Sequence, residues 1–170
     1  MAEERHAVGA DGWRSIDRRR SGGSIDSEQG VDAPHLLVEP SRDDGLRLAR
    51  SYWDAVRRAA GGLVRRRETE ESLELRLLGA RPALLTFDAP TVSAGGDGVS
   101  CTYRITGGLL ARRPRGTLTL TLTTGVDARL TVAVEDFAPR IALVYLLLER
   151  RFHASVSRRY FRQLLAEGRR

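Results

Sequence analysis

Residues 138–170 read APRIALVYLLLERRFHASVSRRYFRQLLAEGRR, and this C-terminal stretch decides the predicted fold. Pro139 suits the first turn of a helix, and no glycine or further proline interrupts the segment before Gly168. Apolar residues recur at helical spacing along its first half, so we predict one long helix that other elements cover. The apolar stripe consists of Ile141, Tyr145, Leu148, Phe152 and Val156.

The region before this predicted helix alternates apolar and polar residues with a period of two, which indicates β-strands. Such alternation gives each strand one apolar and one polar face, as in an antiparallel sheet packed on a helix. The predicted strands cover residues 73–77, 99–106, 117–123 and 130–135, with a weaker fifth strand at 83–88.

A second helix is predicted earlier in the chain, starting at Ser41. Ser41 is followed three residues later by Asp44, the pattern of a helix N-terminus with its acidic first turn. The paired glycines Gly61 and Gly62 favour a C-terminal end. Residues 35–39 predict an extended lead-in or edge strand, and residues 65–71 a mixed-charge link. The helix's apolar positions are Ala49, Tyr52, Trp53, Val56, Ala60 and Leu63.

The N-terminal residues 1–33 show no periodicity and are rich in glycine, serine, aspartate and arginine. This composition predicts a disordered tail, followed by a single domain over residues 34–170. Within the tail, residues 18–21 (RRRS) resemble a site for an arginine-directed kinase or a small anion-binding patch. Solvated charge in a mobile tail is the interpretation we favour.

The amino-acid composition and net charge restrict the possible mechanisms and partners. All 28 basic residues counted as Lys or Arg are arginines, so mechanisms that need a lysine Schiff base or a P-loop lysine are excluded. A net charge of +6 could attract nucleic acid or anionic membrane. The arginines are interspersed with acids, however, so we favour an ordinary solvated surface and do not expect nucleic acid as a partner. A single cysteine and the absence of an apolar N-terminal segment predict a cytoplasmic protein.

The order of elements over about residues 35–165 resembles the START-like helix-grip superfamily of lipid-transfer proteins and polyketide cyclases. In that superfamily a curved antiparallel sheet grips a long terminal helix, and an apolar cavity lies between them. The resemblance implies an α+β fold: a curved antiparallel sheet of five to six strands packed on the long C-terminal helix, with one N-terminal helix.

This fold predicts non-enzymatic binding of an apolar or amphipathic small molecule between sheet and helix. We predict no metal and no cofactor, because the three histidines His6, His35 and His153 are isolated from other ligand residues. Cys101 falls on the apolar face of its strand, which favours a packed thiol over a nucleophile. The predicted ligand-binding residues are Tyr103, Leu118, Leu120, Leu130, Val132, Tyr145, Leu148 and Phe152.

Two alternatives come from other functional classes. The first is an adaptor that uses the arginine-rich end of the terminal helix to hold a protein, nucleic acid or anionic membrane; we favour arginine stems packed over the domain rim. The second is a cyclase-type enzyme, with His153 near Glu149 as a candidate general base, although a histidine bonded to that glutamate is favoured. The adaptor would use Arg151, Arg158, Arg159 and Arg162.

Overall fold

The computed structural model describes residues 4–8, 12–20, 22–33, 40–125, 128–140 and 150–167. Residues 4–8, 150–154 and 167 are described by their backbone. Three strands come first: β1 (Glu4–Val8), β2 (Arg14–Arg19) and β3 (Ile25–Asp32). Helix α1 (Arg42–Ala59) follows. The next strands are β4 (Val64–Glu68), β5 (Ser72–Leu77), β6 (Leu85–Asp88), β7 (Thr91–Gly95), β8 (Gly98–Gly107), β9 (Thr117–Thr123) and β10 (Arg129–Phe137), and helix α2 (Arg150–Glu167) comes last.

All strand pairs are antiparallel, and together they form one ten-stranded sheet. Its order is β1-β2-β3-β10-β9-β8-β6-β5-β4, while β7 pairs with β8 beside β6. The α+β class and the antiparallel sheet are confirmed. The predicted count of five to six strands is wrong, because strands also form where the sequence lacks apolar alternation.

The predicted disorder of residues 1–33 is wrong for the described part of that segment. Strand β3 pairs along β10, and β2 pairs along β3. The inward positions of β3 are buried, yet two of them, Ser27 and Gln29, are polar. Apolar alternation is therefore broken, although Trp13, Ile25 and Val31 still enter the core. The folded region thus begins well before residue 34.

Helix α1 confirms the sequence prediction. The Ser41 hydroxyl accepts a hydrogen bond from the Asp44 backbone N–H at 3.2 Å, which caps the helix. The helix ends at Ala59, and both Gly61 and Gly62 have the positive φ that glycine adopts most readily. The predicted apolar stripe is buried at Ala49, Tyr52, Trp53 and Val56.

Two further short strands, β4 and β7, are not among the five strands predicted from the sequence. Strand β4 occupies most of the segment predicted to be a mixed-charge link, and it pairs only with β5 at the sheet edge. Charged residues suit an edge strand, because they discourage pairing with another chain. Strand β7 is built from small residues and continues from β6 after Pro90. Residues 35–39, the predicted lead-in, lie outside the described residues.

The C-terminal segment also departs from the prediction. Pro139 does not start a helix; it forms an isolated antiparallel bridge with Ala111. Arg112 N donates to Ala138 O at 2.8 Å, and Arg140 N donates to Leu110 O at 2.8 Å. These bonds hold residues 138–140 extended against the β8–β9 connection, which excludes a helix start there. The described helix α2 begins at Arg150.

Helix α2 packs on α1 and β3 through a face that includes Val156, Tyr160, Phe161 and Leu164. These apolar side chains of the arginine-rich helix end are therefore buried within the protein. A row of ring contacts joins the layers, with centroid separations of 5.5 Å for Trp13–Phe161, 5.5 Å for Tyr52–Tyr160 and 5.3 Å for Trp53–Tyr103. Neither described helix has the length and apolar character needed to cross a membrane.

Candidate ligand-binding site

A cavity of about 170 Å³ lies between α1 and the sheet. Helix α1 contributes one wall, strands β4, β5, β6, β8, β9 and β10 contribute the other, and two connections contribute Leu84 and Leu110. All of the described lining residues are apolar or aromatic: Tyr52, Trp53, Val56, Val64, Leu75, Leu84, Leu85, Phe87, Ile105, Leu110, Leu118, Val134 and Phe137.

The β8–β9 connection reaches the cavity because of Gly108. Its φ is +112°, and any side chain there would collide with the backbone around the Leu84 carbonyl. Leu109 N donates to Ala83 O at 2.9 Å, and Leu110 N donates to Leu84 O at 3.0 Å. The connection is thereby held against the β5–β6 segment, and Leu84 and Leu110 both line the cavity.

The cavity interior offers few polar groups. Burial raises the pKa of Tyr52 well above its ordinary value, so this phenol stays neutral. Burial also raises the pKa of Tyr103, which contacts the Trp53 ring but does not line the cavity. The indole N–H does not reach hydrogen-bonding geometry with any described residue. The described lining of the cavity therefore carries no charged group.

A groove of about 500 Å³ adjoins the cavity and shares Trp53, Val56, Val64 and Leu75 with it. Arg66 pairs in register with Leu75, so both side chains are on the helix-facing side of the sheet. The Arg66 Nε atom lies 3.6 Å from Glu68 Oε2. The groove therefore has an apolar floor, formed by the residues it shares with the cavity, and a rim that carries arginines. The other residues that line it are Asp54, Arg57, Gly62 and Arg65.

The predicted ligand residues fall into three groups. Leu118 lines the cavity. Tyr103, Leu120, Leu130 and Val132 are buried in the core but do not line it. Tyr145 and Leu148 lie outside the described residues, and the side chain of Phe152 is not among those described.

The contribution of α1 to the cavity was not predicted from the sequence. Tyr52, Trp53 and Val56 were identified as the apolar face of a helix, which is a signal for burial and not for a ligand site. No sequence pattern distinguishes a residue that fills the core from one that borders a space within it. Among the groove arginines, Arg65 and Arg66 lie in the segment predicted to be a mixed-charge link, and Arg57 lies in α1.

The predicted partner-binding arginines lie on α2. The Arg158 guanidinium stands 5.1 Å from the centre of the Trp13 ring, within the range of a cation–π contact. Arg159 and Arg162 are exposed. Arg151 is in the same helix, at a position described by its backbone.

The cysteine and the three histidines are the residues that the sequence analysis considered for catalysis or metal binding. Cys101 is fully buried, and burial raises the pKa of its thiol to about 11. The thiol therefore stays protonated at neutral pH. His6 lies in β1 and His153 in α2, both at positions described by their backbone, while His35 lies outside the described residues. Within the described ranges, no group of three or more His, Cys, Asp or Glu could hold a metal ion.

Comparison with protein-family models, with curated proteins and with solved structures gave no match. The interpretation of the cavity and groove therefore rests on their own residues.

Proposed function

We propose that this protein binds an apolar or amphipathic small molecule without transforming it. The observation that carries the proposal is the cavity between α1 and the sheet, whose described lining is wholly apolar or aromatic. Apolar cavities of about 150 Å³ hold a benzene-sized group. Each Å² of apolar ligand surface removed from water is worth about 25 cal/mol before the costs of association.

The groove favours an amphipathic ligand with an acidic head. An acyl chain or ring in the cavity would place its polar end near Arg57 and Arg66. Guanidinium groups bind carboxylates and phosphates through paired hydrogen bonds.

A relationship to the helix-grip superfamily is part of this proposal. It is supported by an antiparallel sheet with both described helices packed on it and by an apolar space between sheet and helix. Binding is favoured over catalysis because the described lining offers no ionised acid or base.

Binding of dodecanoate, followed by tryptophan fluorescence, tests the proposal. The chain has two tryptophans, so Trp13→Phe leaves Trp53 in the cavity wall as the only reporter. We expect a saturable change in Trp53 emission. Val134→Phe fills the cavity and should weaken binding at least tenfold, whereas Leu78→Phe, at an exposed site, should not. Saturable binding that Val134→Phe leaves unchanged would reject the cavity as the site.

Dodecanol provides the test of the basic rim. It has the same chain length as dodecanoate but no charge, so we expect it to bind more weakly. Arg66→Gln should remove this difference, while Arg67→Gln, on the opposite face of β4, should preserve it. Equal binding of acid and alcohol by the unmodified protein would show that the head group is not recognised.

A further inference from the structure

A second concave site is lined in part by the β8–β9 connection. It has a volume of about 310 Å³, and its described lining includes four arginines: Arg20, Arg112, Arg113 and Arg115. Arg20 follows β2, and the other three come from the β8–β9 connection. Gly22, Ser24 and Ala138 complete the lining.

Three of these guanidinium groups are held in place by neighbours. Arg20 Nε donates to Asp26 Oδ2 at 2.6 Å, and Arg115 Nε donates to Asp136 Oδ2. The two aspartates are themselves joined, because the Asp136 backbone N–H donates to Asp26 Oδ1 at 2.8 Å. Arg112 donates to the Gly22 carbonyl at 2.8 Å. A guanidinium has five N–H donors, so each keeps donors for a ligand.

The charges at this site do not balance. Asp26 and Asp136 oppose Arg20 and Arg115, and Glu135 lies at longer range from Arg20. Arg112 and Arg113 have no carboxylate partner among the described residues. Like charges gathered in a concavity repel one another, and an anion that bridges them relieves that repulsion.

We propose that these four arginines form a binding site for a phosphate group, either inorganic phosphate or a phosphomonoester. Phosphate presents several acceptor oxygens and about two negative charges, which suits guanidinium groups converging from different directions. The volume exceeds that of the bare anion and leaves space for a small substituent. The site does not share a described residue with the apolar cavity, so it stands or falls independently of the proposed function.

Calorimetric titration with inorganic phosphate, in chloride buffer of constant ionic strength, tests this site. The double substitution Arg112→Gln and Arg113→Gln removes the two arginines that lack a carboxylate partner among the described residues. It should weaken phosphate binding at least tenfold. Arg104→Gln removes the same kind of charge from the exposed face of β8 and should bind phosphate as the unmodified protein does. The single substitution Arg113→Gln breaks no side-chain hydrogen bond or ion pair among the described residues, so it should not affect folding. We expect it to weaken phosphate binding by a smaller factor than the double substitution.

Two further titrants identify the source of the phosphate. Glycerol 3-phosphate represents soluble phosphomonoesters, and vesicles of phosphatidylcholine with phosphatidic acid represent lipid head groups. Binding of either titrant that the double variant loses supports the site and assigns its source. Absence of binding to inorganic phosphate and to both titrants, or equal weakening by Arg104→Gln, would overturn the proposal.

Discussion

Tyr160 illustrates how a single buried polar atom affects this core. The residue is fully buried in α2, with its ring at an edge-to-face angle of 88° to Tyr52. Its hydroxyl has no hydrogen-bond partner in the described part of the chain. Burial raises the pKa of this hydroxyl well above its ordinary value. The ring stabilises the core, whereas the unpaired hydroxyl carries a desolvation cost.

Tyr160→Phe should therefore leave the free energy of unfolding unchanged or raise it by about 1 kcal/mol, because the desolvated hydroxyl is removed. Tyr160→Leu, which also removes the ring contacts, should lower it by about 2–4 kcal/mol. Urea denaturation measures both effects. A loss above about 1 kcal/mol in Tyr160→Phe would reveal a partner for the hydroxyl.

Asp136 links stability to pH. A hydrogen bond from Arg115 holds the pKa of this carboxyl below its ordinary value, against the smaller opposing effect of burial. Folding therefore favours the ionised form, and the resulting stability is present at neutral pH and lost as pH falls through the folded-state pKa. Asn tolerates the φ of +52° at this position, so Asp136→Asn tests the charge alone.

We expect Asp136→Asn to unfold at lower urea concentration than the unmodified protein at pH 7, with the difference shrinking below about pH 4. Asp88→Asn is the control, since the exposed Asp88 makes no side-chain ion pair or hydrogen bond in the described structure. A stability difference that stays constant between pH 7 and strongly acidic pH would contradict the assigned role of Asp136.

Among the elements, α1, β5, β8, β9 and β10 could be predicted from sequence because their inward positions are apolar and regularly spaced. Strand β3 could not, since Ser27 and Gln29 occupy inward positions and its pairing with β10 and β2 is not visible in the local sequence. Strand β4 could not either, because an edge strand tolerates charge on most positions. Hydrophobic periodicity indicates which face of an element is buried, and it gives no signal where polar residues face inward.

The contact of α1 with β7 depends on Gly45. A Cβ at this position would lie 2.6 Å from Val92 Cγ1 and 3.0 Å from Val99 Cγ2. Val92 is β-branched and restricted in its rotamers, so it cannot move aside easily. The gain of about 1 kcal/mol in helix propensity from Gly45→Ala is therefore smaller than the cost of the clash.

We expect Gly45→Ala to lower the free energy of unfolding by about 1–2 kcal/mol. In a Val92→Ala background the same substitution should cost less, because the shorter of the two contacts is removed and the one to Val99 remains. A double-mutant cycle measured by urea denaturation gives this coupling. Independent, additive effects of the two substitutions would show that the helix and β7 are not in close contact.

At the scale of the whole molecule, the N-terminal strands complete the sheet. Without β2 and β3, β10 becomes an exposed edge, and the core loses Trp13, Ile25 and Val31. The sequence predicted an apolar space between the sheet and the C-terminal helix, whereas the described cavity lies between α1 and the sheet, and among the predicted ligand residues whose side chains are described only Leu118 lines it. The position of a cavity depends on how side chains of distant strands fit together, which no local pattern records.

Deleting residues 1–33 should therefore lower the melting temperature by at least about 10 °C or abolish cooperative unfolding. Deleting residues 1–11 removes only the edge strand β1 from the sheet and keeps Trp13, so its effect should be much smaller. Circular dichroism during heating compares the two. A melting temperature that deletion of residues 1–33 leaves unchanged would show that this segment does not contribute to the fold.

The most direct test of the proposed cavity is X-ray diffraction from a crystal of the protein pressurised with xenon, which enters dry apolar spaces. The account predicts xenon density bounded by Trp53, Leu118 and Phe137, and loss of that density in Val134→Phe. An interior at this position that is filled by side chains and takes up no xenon would contradict the cavity and the ligand-binding function proposed from it.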